Sequence, residues 1–400
     1  MKNKDLVSDK DLSVSISKRI TNMPWASVLL IVSLLAVVAG ALVSTKSLAV
    51  INRNIADAKE AARPAKIKII KITVPDCTEC FSVREAVSEF KKLNVKVSEE
   101  KDVPIKSEKA NELIKKFGIK KVPTYLITGE AKKNNLANFV KNNGEVKDDT
   151  FIFTKITPVY ISTANGKKMG KVTATLITDP SCSVCFDPKP VIESFKKSGV
   201  KVTELREVDS NSLDGQNIIG KYKIAKVPTF IFSSEFYLYE NAKSSWQNFG
   251  TVENDKTYVA RNLPLPYKDL TKGQIEGLVD IIYLTDSSCT DCYKVQDVQK
   301  PILAKGYSVA LRSERFVETS SAEGQSLVSK YSISKVPTIL LSPEIDQYVN
   351  LKSVWKNVGI VGTDGWYVFT GFNQLGNITY KDLASGQIVK PTQQGGNQAK

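Results

Sequence analysis

The chain has no histidine at all, and only six cysteines, three methionines and four tryptophans in 400 residues. Without histidine there is no Ser-His or Cys-His nucleophile, no His-ligated metal and no haem on a proximal His. No cysteine stands alone: the six form Cys77-Thr78-Glu79-Cys80, Cys182-Ser183-Val184-Cys185 and Cys289-Thr290-Asp291-Cys292. A chain that keeps its thiols only as close pairs uses them together, for redox chemistry, for metal or as staples. No Gly-rich phosphate loop and no metal, nucleotide or flavin site is visible, so no cofactor is expected. The net charge of +14 comes from lysine scattered along the chain, with no basic block interleaved with aromatics. It reads as solvated surface rather than a nucleic-acid interface, and is compatible with attraction to an anionic membrane or wall.

Residues 1–20 are polar, and residues 21–45 carry no charge. The apolar run is long enough to cross a bilayer core of about 30 Å as a helix, and longer than the core of a cleaved signal peptide. We therefore expect an uncleaved membrane anchor at 21–45, with Trp25 at one interface. Lys and Arg number five in 1–20 and five in 46–66, so loop charge does not orient it. A single span near an N-terminus commonly acts as a signal anchor, which puts the short tail in the cytoplasm and the C-terminal domains outside it. Residues 46–65 read as a helical stalk that Pro64 terminates.

The remainder is a threefold repeat. Each copy opens on a short apolar, β-branched run (67–74, 172–178, 278–285), a buried strand. A turn, the cysteine pair and a helical pattern follow, then strands at 95–97, 200–202 and 307–309 and a second helix. Next comes Lys-Val-Pro-Thr, with Pro123 and Pro228 standing 46 positions after Cys77 and Cys182, and Pro337 standing 48 after Cys289. Gly144, Gly250 and Gly359 recur 21 to 22 residues past the prolines. The segment 266–275 matches 379–388, and Tyr160, Tyr267 and Tyr380 recur as packing residues. Residues 391–400, rich in Gln, Gly and Asn, read as a disordered tail.

Turn residues before each helix are able to cap it, which puts the first cysteine at a helix N-terminus, where the dipole and free amides favour a thiolate. The second cysteine then resolves the mixed disulfide. Glu79 and Asp291, between their cysteines, oppose that thiolate whereas Val184 does not, so the middle copy is expected to hold the most acidic nucleophile. The lysine before each Val-Pro-Thr either favours a nearby thiolate or is a solvated charge. A cis Val-Pro turn exposes the valine backbone, with which a polypeptide could pair as an added strand.

Strand, CxxC, helix, strand, helix and Ile-x-Lys-Val-Pro-Thr in this order resemble the thioredoxin-fold superfamily. The resemblance spans 67–154, 172–260 and 278–369. It implies nucleophiles at Cys77, Cys182 and Cys289, resolving cysteines at Cys80, Cys185 and Cys292, and cis-prolines at Pro123, Pro228 and Pro337 facing them. Val122, Val227 and Val336, with their prolines, would bind substrate. The sequence departs from the family's better-known patterns in three ways. The dipeptides between the cysteines are unusual, Lys71, Leu176 and Tyr283 replace a buried Asp, and the part after the post-proline strand reads as helix then hairpin rather than hairpin then helix.

The expected fold is α/β: three tandem thioredoxin-like domains (66–170, 171–277, 278–390), each a central mixed sheet with flanking helices, behind one N-terminal transmembrane helix. The expected activity is thiol-disulfide oxidoreduction on cysteine-containing protein clients, with a redox partner that resets the pairs. Rival readings are a polypeptide-binding scaffold with static CxxC disulfides, zinc shared between two copies, and a small-molecule redox enzyme using glutathione or another thiol.

Overall fold

Three strands rich in buried, largely β-branched residues organise the chain: Ala65–Thr73, Val172–Thr178 and Leu278–Thr285. The computed structural model describes residues 25–391. The polar tail expected at 1–20, the start of the expected membrane span and all but the first residue of the expected disordered tail lie outside them. Each lead strand sits second in a five-stranded mixed sheet. It runs parallel to one neighbour (Val95–Pro104, Val202–Asp209, Ala310–Glu318) and antiparallel to the post-proline strand on its other side (Thr124–Gly129, Thr229–Phe232, Thr338–Leu341). A parallel neighbour requires a crossover, supplied by the helices Val83–Phe90, Lys189–Lys197 and Val295–Pro301. An α/β architecture of three mixed sheets flanked by helices is thus present, consistent with three tandem thioredoxin-like domains.

The parallel neighbour of the first copy runs well past the expected 95–97, whereas the strands expected at 200–202 and 307–309 lie further along, the former sharing only Val202 with its strand and the latter giving way to a strand that starts at Ala310. The parallel neighbours lie at the sheet edge, paired on one side only, so runs such as Glu99-Glu100-Lys101-Asp102 stay solvated and discourage pairing with another chain. The following helices, Glu108–Phe117, Leu213–Tyr222 and Ala322–Tyr331, start on serine caps. Ser107, Ser212 and Ser321 accept from the backbone N–H three residues on, at 3.0–3.2 Å.

After the proline the order is helix then hairpin, as expected. Ala137–Asn143 precedes Gly144–Lys147 and Thr150–Phe153, and the other two copies repeat this with Gly250–Val252 and Tyr258–Ala260, and with Gly359–Val361 and Tyr367–Phe369. The threonine of each Val-Pro-Thr is fully buried. Its Oγ1 donates to the carbonyl of Phe153 (2.6 Å), Ala260 (2.8 Å) or Phe369 (2.6 Å), tying the post-proline strand to that hairpin. Trp246 and Trp355 are buried in the cores of their copies.

The chain divides into two units, one ending at Ile156 and the other beginning at Thr157. The first holds the first copy and the helix Trp25–Ala62, whose last turn docks on it. Asn94 Nδ2 donates to Ala62 O (2.9 Å), and Arg63 pairs with Glu130 (2.7 Å). The expected stalk is therefore the C-terminal part of one continuous helix. Of the expected span, residues 21–24 and the side chains of 25–28, 31 and 38–45 lie outside what is described; among the described residues no helix is long and apolar enough to cross a membrane. The second unit holds the other two copies and also the hairpin Tyr160–Ser162 with Lys168–Met169, expected to close the first. Gly170, which follows it, donates to Glu235 (2.5 Å) and accepts from Tyr239 Oη (2.5 Å), which binds this segment to the second copy.

The recurring glycines have a steric cause. A Cβ on Gly144, Gly250 or Gly359 would lie 2.0, 1.9 or 2.4 Å from a carbonyl oxygen of the partner strand. Gly250→Ala is expected to destabilise the second unit by about 1–3 kcal/mol, the usual cost of overpacking against an immovable backbone. A shift of the denaturant midpoint of that unit's unfolding transition measures it.

Candidate redox sites

Each lead strand ends in two successive tight turns that carry the cysteines. Cys77 N–H donates to Val74 O (3.2 Å) and Cys80 N–H to Cys77 O (3.4 Å). The pattern repeats from Asp179 to Cys185 and from Asp286 to Cys292. All three pairs are closed disulfides with Cα atoms 5.3–5.4 Å apart. Cys77, Cys182 and Cys289 are 7, 8 and 7% exposed, and Cys80, Cys185 and Cys292 are each more open. The Val122–Pro123, Val227–Pro228 and Val336–Pro337 bonds are cis. Pro123 shares a cleft of about 540 Å³ with Cys77 and Cys80, and Pro337 shares one of about 430 Å³ with Cys289 and Cys292.

The helix that was to activate the first cysteine begins too late. Its first residues are Val83, Lys189 and Val295, six or seven positions past Cys77, Cys182 and Cys289. The favourable field of a helix terminus fades within its first turn, and in the first copy Ser82, not the cysteine, caps the helix. The reason is local: the cysteine amides already close the turns, which extends the loop before the helix starts.

The valine edge is not open in the second unit. Lys226 and Val227 pair with Asp269 and Lys268, and Lys335 and Val336 pair with Asp382 and Lys381. The partner strands, Tyr267–Asp269 and Tyr380–Asp382, belong to the tail of the same copy. They also reach the cysteine loops: Phe186 N–H donates to Pro266 O (2.8 Å) and Tyr293 N–H to Thr379 O (2.9 Å). The backbone expected to receive a client strand is occupied by the chain itself.

That tail brings a charge to the site. Lys268 Nζ contacts Asp179 (2.5 Å), and Lys381 Nζ contacts Asp286 (2.9 Å) and Ser288 Oγ (2.6 Å). Burial of Asp286 opposes its charge, but hydrogen bonds from Ser288, Lys381 and Thr319 outweigh that and hold its pKa down to about 2. Burial likewise opposes charge on Asp179, where Lys268 and Ser181 prevail and lower the pKa. Sequence reading missed this pair although the copies carried a signal. The second and third copies have Asp three before the first cysteine and Lys after the tail tyrosine, and at the corresponding positions the first has Val74 and Ile161.

Two other expectations change. Asp291 does not act alone beside Cys292, because Lys390 pairs with it at 2.7 Å and lowers its pKa, weakening the case for a raised thiol pKa there. Lys226 lies 4.3 Å above the Tyr267 ring and Lys335 4.9 Å above Tyr380, so these lysines are held on aromatic faces. Tyr293, after the third pair, donates its hydroxyl to Pro337 O (2.8 Å), and burial raises its pKa to about 12.

No family model matches the chain, and no curated protein matches it. Among solved structures, the alkylhydroperoxide reductase protein AhpF of Enterococcus faecalis is similar at 16% identity, over 43% of this chain and 83% of that one, with a TM-score of 0.16. ERdj5 is similar at 11% identity, over 70% of this chain and only 38% of that one, with a TM-score of 0.14. A protein disulfide oxidoreductase from Aeropyrum pernix is similar at 14% identity, over 47% and 88%, with a TM-score of 0.13. Scores this low carry no argument about activity.

A carboxyl whose folded pKa lies below its unfolded value stabilises the fold above about pH 4 and loses that contribution as the pH falls to 2. Asp286→Asn is therefore expected to cost roughly 2 kcal/mol at pH 7 and almost nothing at pH 2, at 1.36 kcal/mol per pKa unit. Denaturant unfolding of the second unit at the two pH values measures the difference.

Proposed function

We propose that the chain is a thiol-disulfide oxidoreductase acting on protein cysteines, held at a membrane by its N-terminal helix with the three domains outside the cytoplasm. The carrying observation is that all six cysteines form short rings, each with one sulfur-bearing residue partly open and, in the first and third copies, lining a cleft together with the proline of Val-Pro. A four-residue ring constrains little chain entropy, so it is a poor staple and a serviceable two-electron couple. A client thiolate attacks one sulfur, the S–S bond breaks, and the other sulfur leaves as a thiolate. A second client thiol then releases the client as a disulfide and leaves the pair reduced, to be reset by a redox partner.

Anchoring is supported by the side chains of Leu29, Leu30, Val32, Leu34, Leu35 and Val37, each 57–69% exposed on a helix. An apolar surface of this kind favours lipid or another apolar cover over water.

The attacked sulfur is proposed to be the second of each pair, because its residue is the more open and no helix terminus activates the first. With the other two pairs replaced by serine, Cys182→Ala is expected to trap clients covalently on Cys185, and Cys185→Ala to trap several-fold less on Cys182, read by mass spectrometry. The reverse ratio overturns the assignment. Equilibration in glutathione buffers tests the activity itself: pairs that cycle near a compartment's potential support it, and pairs resisting reduction well below about −300 mV support static disulfides. The scaffold reading is favoured by one observation, the occupied valine edges of the second and third copies.

A further inference from the structure

The three copies differ at one position beside the cysteine loop. The residue six before the first cysteine pairs across the sheet with a residue of the edge strand: Lys71 with Asp102, Leu176 with Glu207, and Tyr283 with Phe316. In the first copy both are charged, Lys71 Nζ lying 2.7 Å from Asp102, and both line the cleft beside Cys77 and Cys80. In the second, Glu207 pairs with Lys189 (2.7 Å). In the third, the rings of Tyr283 and Phe316 stack at 4.9 Å, and Phe316 is 58% exposed on the wall of the cleft it shares with Cys289, Cys292 and Pro337.

We propose that the Phe316 wall is the specificity subsite of the third pair, and that it takes a large apolar side chain adjacent to the reactive cysteine of a client. The inference rests on the oxidoreductase reading and names the client class of one of its sites. The disulfide itself forms part of the cleft, so a group that reacts with it must come against the same walls. Two of the acidic groups there are already engaged. Asp286 is held by Lys381, Ser288 and Thr319, and Glu318 accepts from Thr285 Oγ1 and Ser287 N–H, both at 2.8 Å. The third, Asp297, shares the wall with Lys294, so the two add no net charge to recruit a basic client, whereas the Phe316 ring offers apolar area that gains by being covered. A cleft of about 430 Å³ lies within the usual range for a specific pocket, roughly 300–1,000 Å³.

The test uses the full chain with Cys77, Cys80, Cys182 and Cys185 replaced by serine and the third pair reduced. The oxidants are two peptide–glutathione mixed disulfides, identical except for Phe or Asp next to the peptide cysteine. A thiolate of the pair attacks the mixed disulfide and expels one thiol, and the other cysteine of the pair closes the ring and expels the other thiol. The pair loses two electrons, and the peptide and glutathione leave as thiols. The Phe peptide is expected to oxidise the pair about tenfold faster, the scale set by covering one large apolar side chain. Phe316→Ser is expected to bring the ratio near one, and Phe316→Leu to restore most of it. A chain retaining only Cys77 and Cys80 is expected to show no preference for Phe. Equal rates for the two peptides, a preference that survives Phe316→Ser, or the same preference in the chain with only the first pair each overturn the subsite while leaving the redox reading intact. Failure to react with either peptide or with oxidised glutathione overturns both.

Discussion

The two-sided pairing of each lead strand is the constraint on which the sites depend. Parallel on one side and antiparallel on the other, it leaves the sheet at a fixed point, and its last residues lead into the cysteine turns. The post-proline strand is fixed by the same ladder, so the turn before it comes to lie near the disulfide, however the intervening helices vary. Burial of the lead strand's apolar side chains holds the ladder, and the buried threonine of Val-Pro-Thr carries it on to the hairpin. The near-constant interval from cysteine to proline is the length of chain needed to cross over and return.

On that common frame the copies differ where chemistry is decided. The second and third place an Asp–Lys pair next to the disulfide, in each case between the cysteine loop and the tail of the same copy. The same tails occupy the valine edges. Tail, proline turn and cysteine loop therefore form one connected layer in these copies, and a client strand would have to displace it or approach from the cleft. The walls of the clefts differ in turn, charged in the first copy and aromatic in the third. Three similar rings thus face three different surroundings, which is a physical basis for unequal selectivity.

Much of this was legible from residue order. The lead strands, the cysteine pairs, Val-Pro-Thr and the helix-then-hairpin ending all carry local signals, namely β-branched runs, turn residues and repetition. The charged edge strands were not legible at full length, because solvation at an edge removes the hydropathic mark that identifies a strand. The helix start was misplaced because a cap is inferred from residue type, whereas here the turn hydrogen bonds use the amides first. The partner of the valine edge was hidden for a different reason: Val227 and Lys268 are distant in the chain, and only the folded hairpin brings them together.

The sequence alone determined the number of copies, their α/β character, the pairing of cysteines with prolines and the exclusion of histidine chemistry, because these depend on composition, period and spacing. The tertiary structure decided which cysteine residue is the more open, what covers the valine backbone, which carboxylates sit beside the disulfides and which ring lines the third cleft. Those are properties of long-range packing, where residues from separate strands share one surface and no local pattern records their meeting.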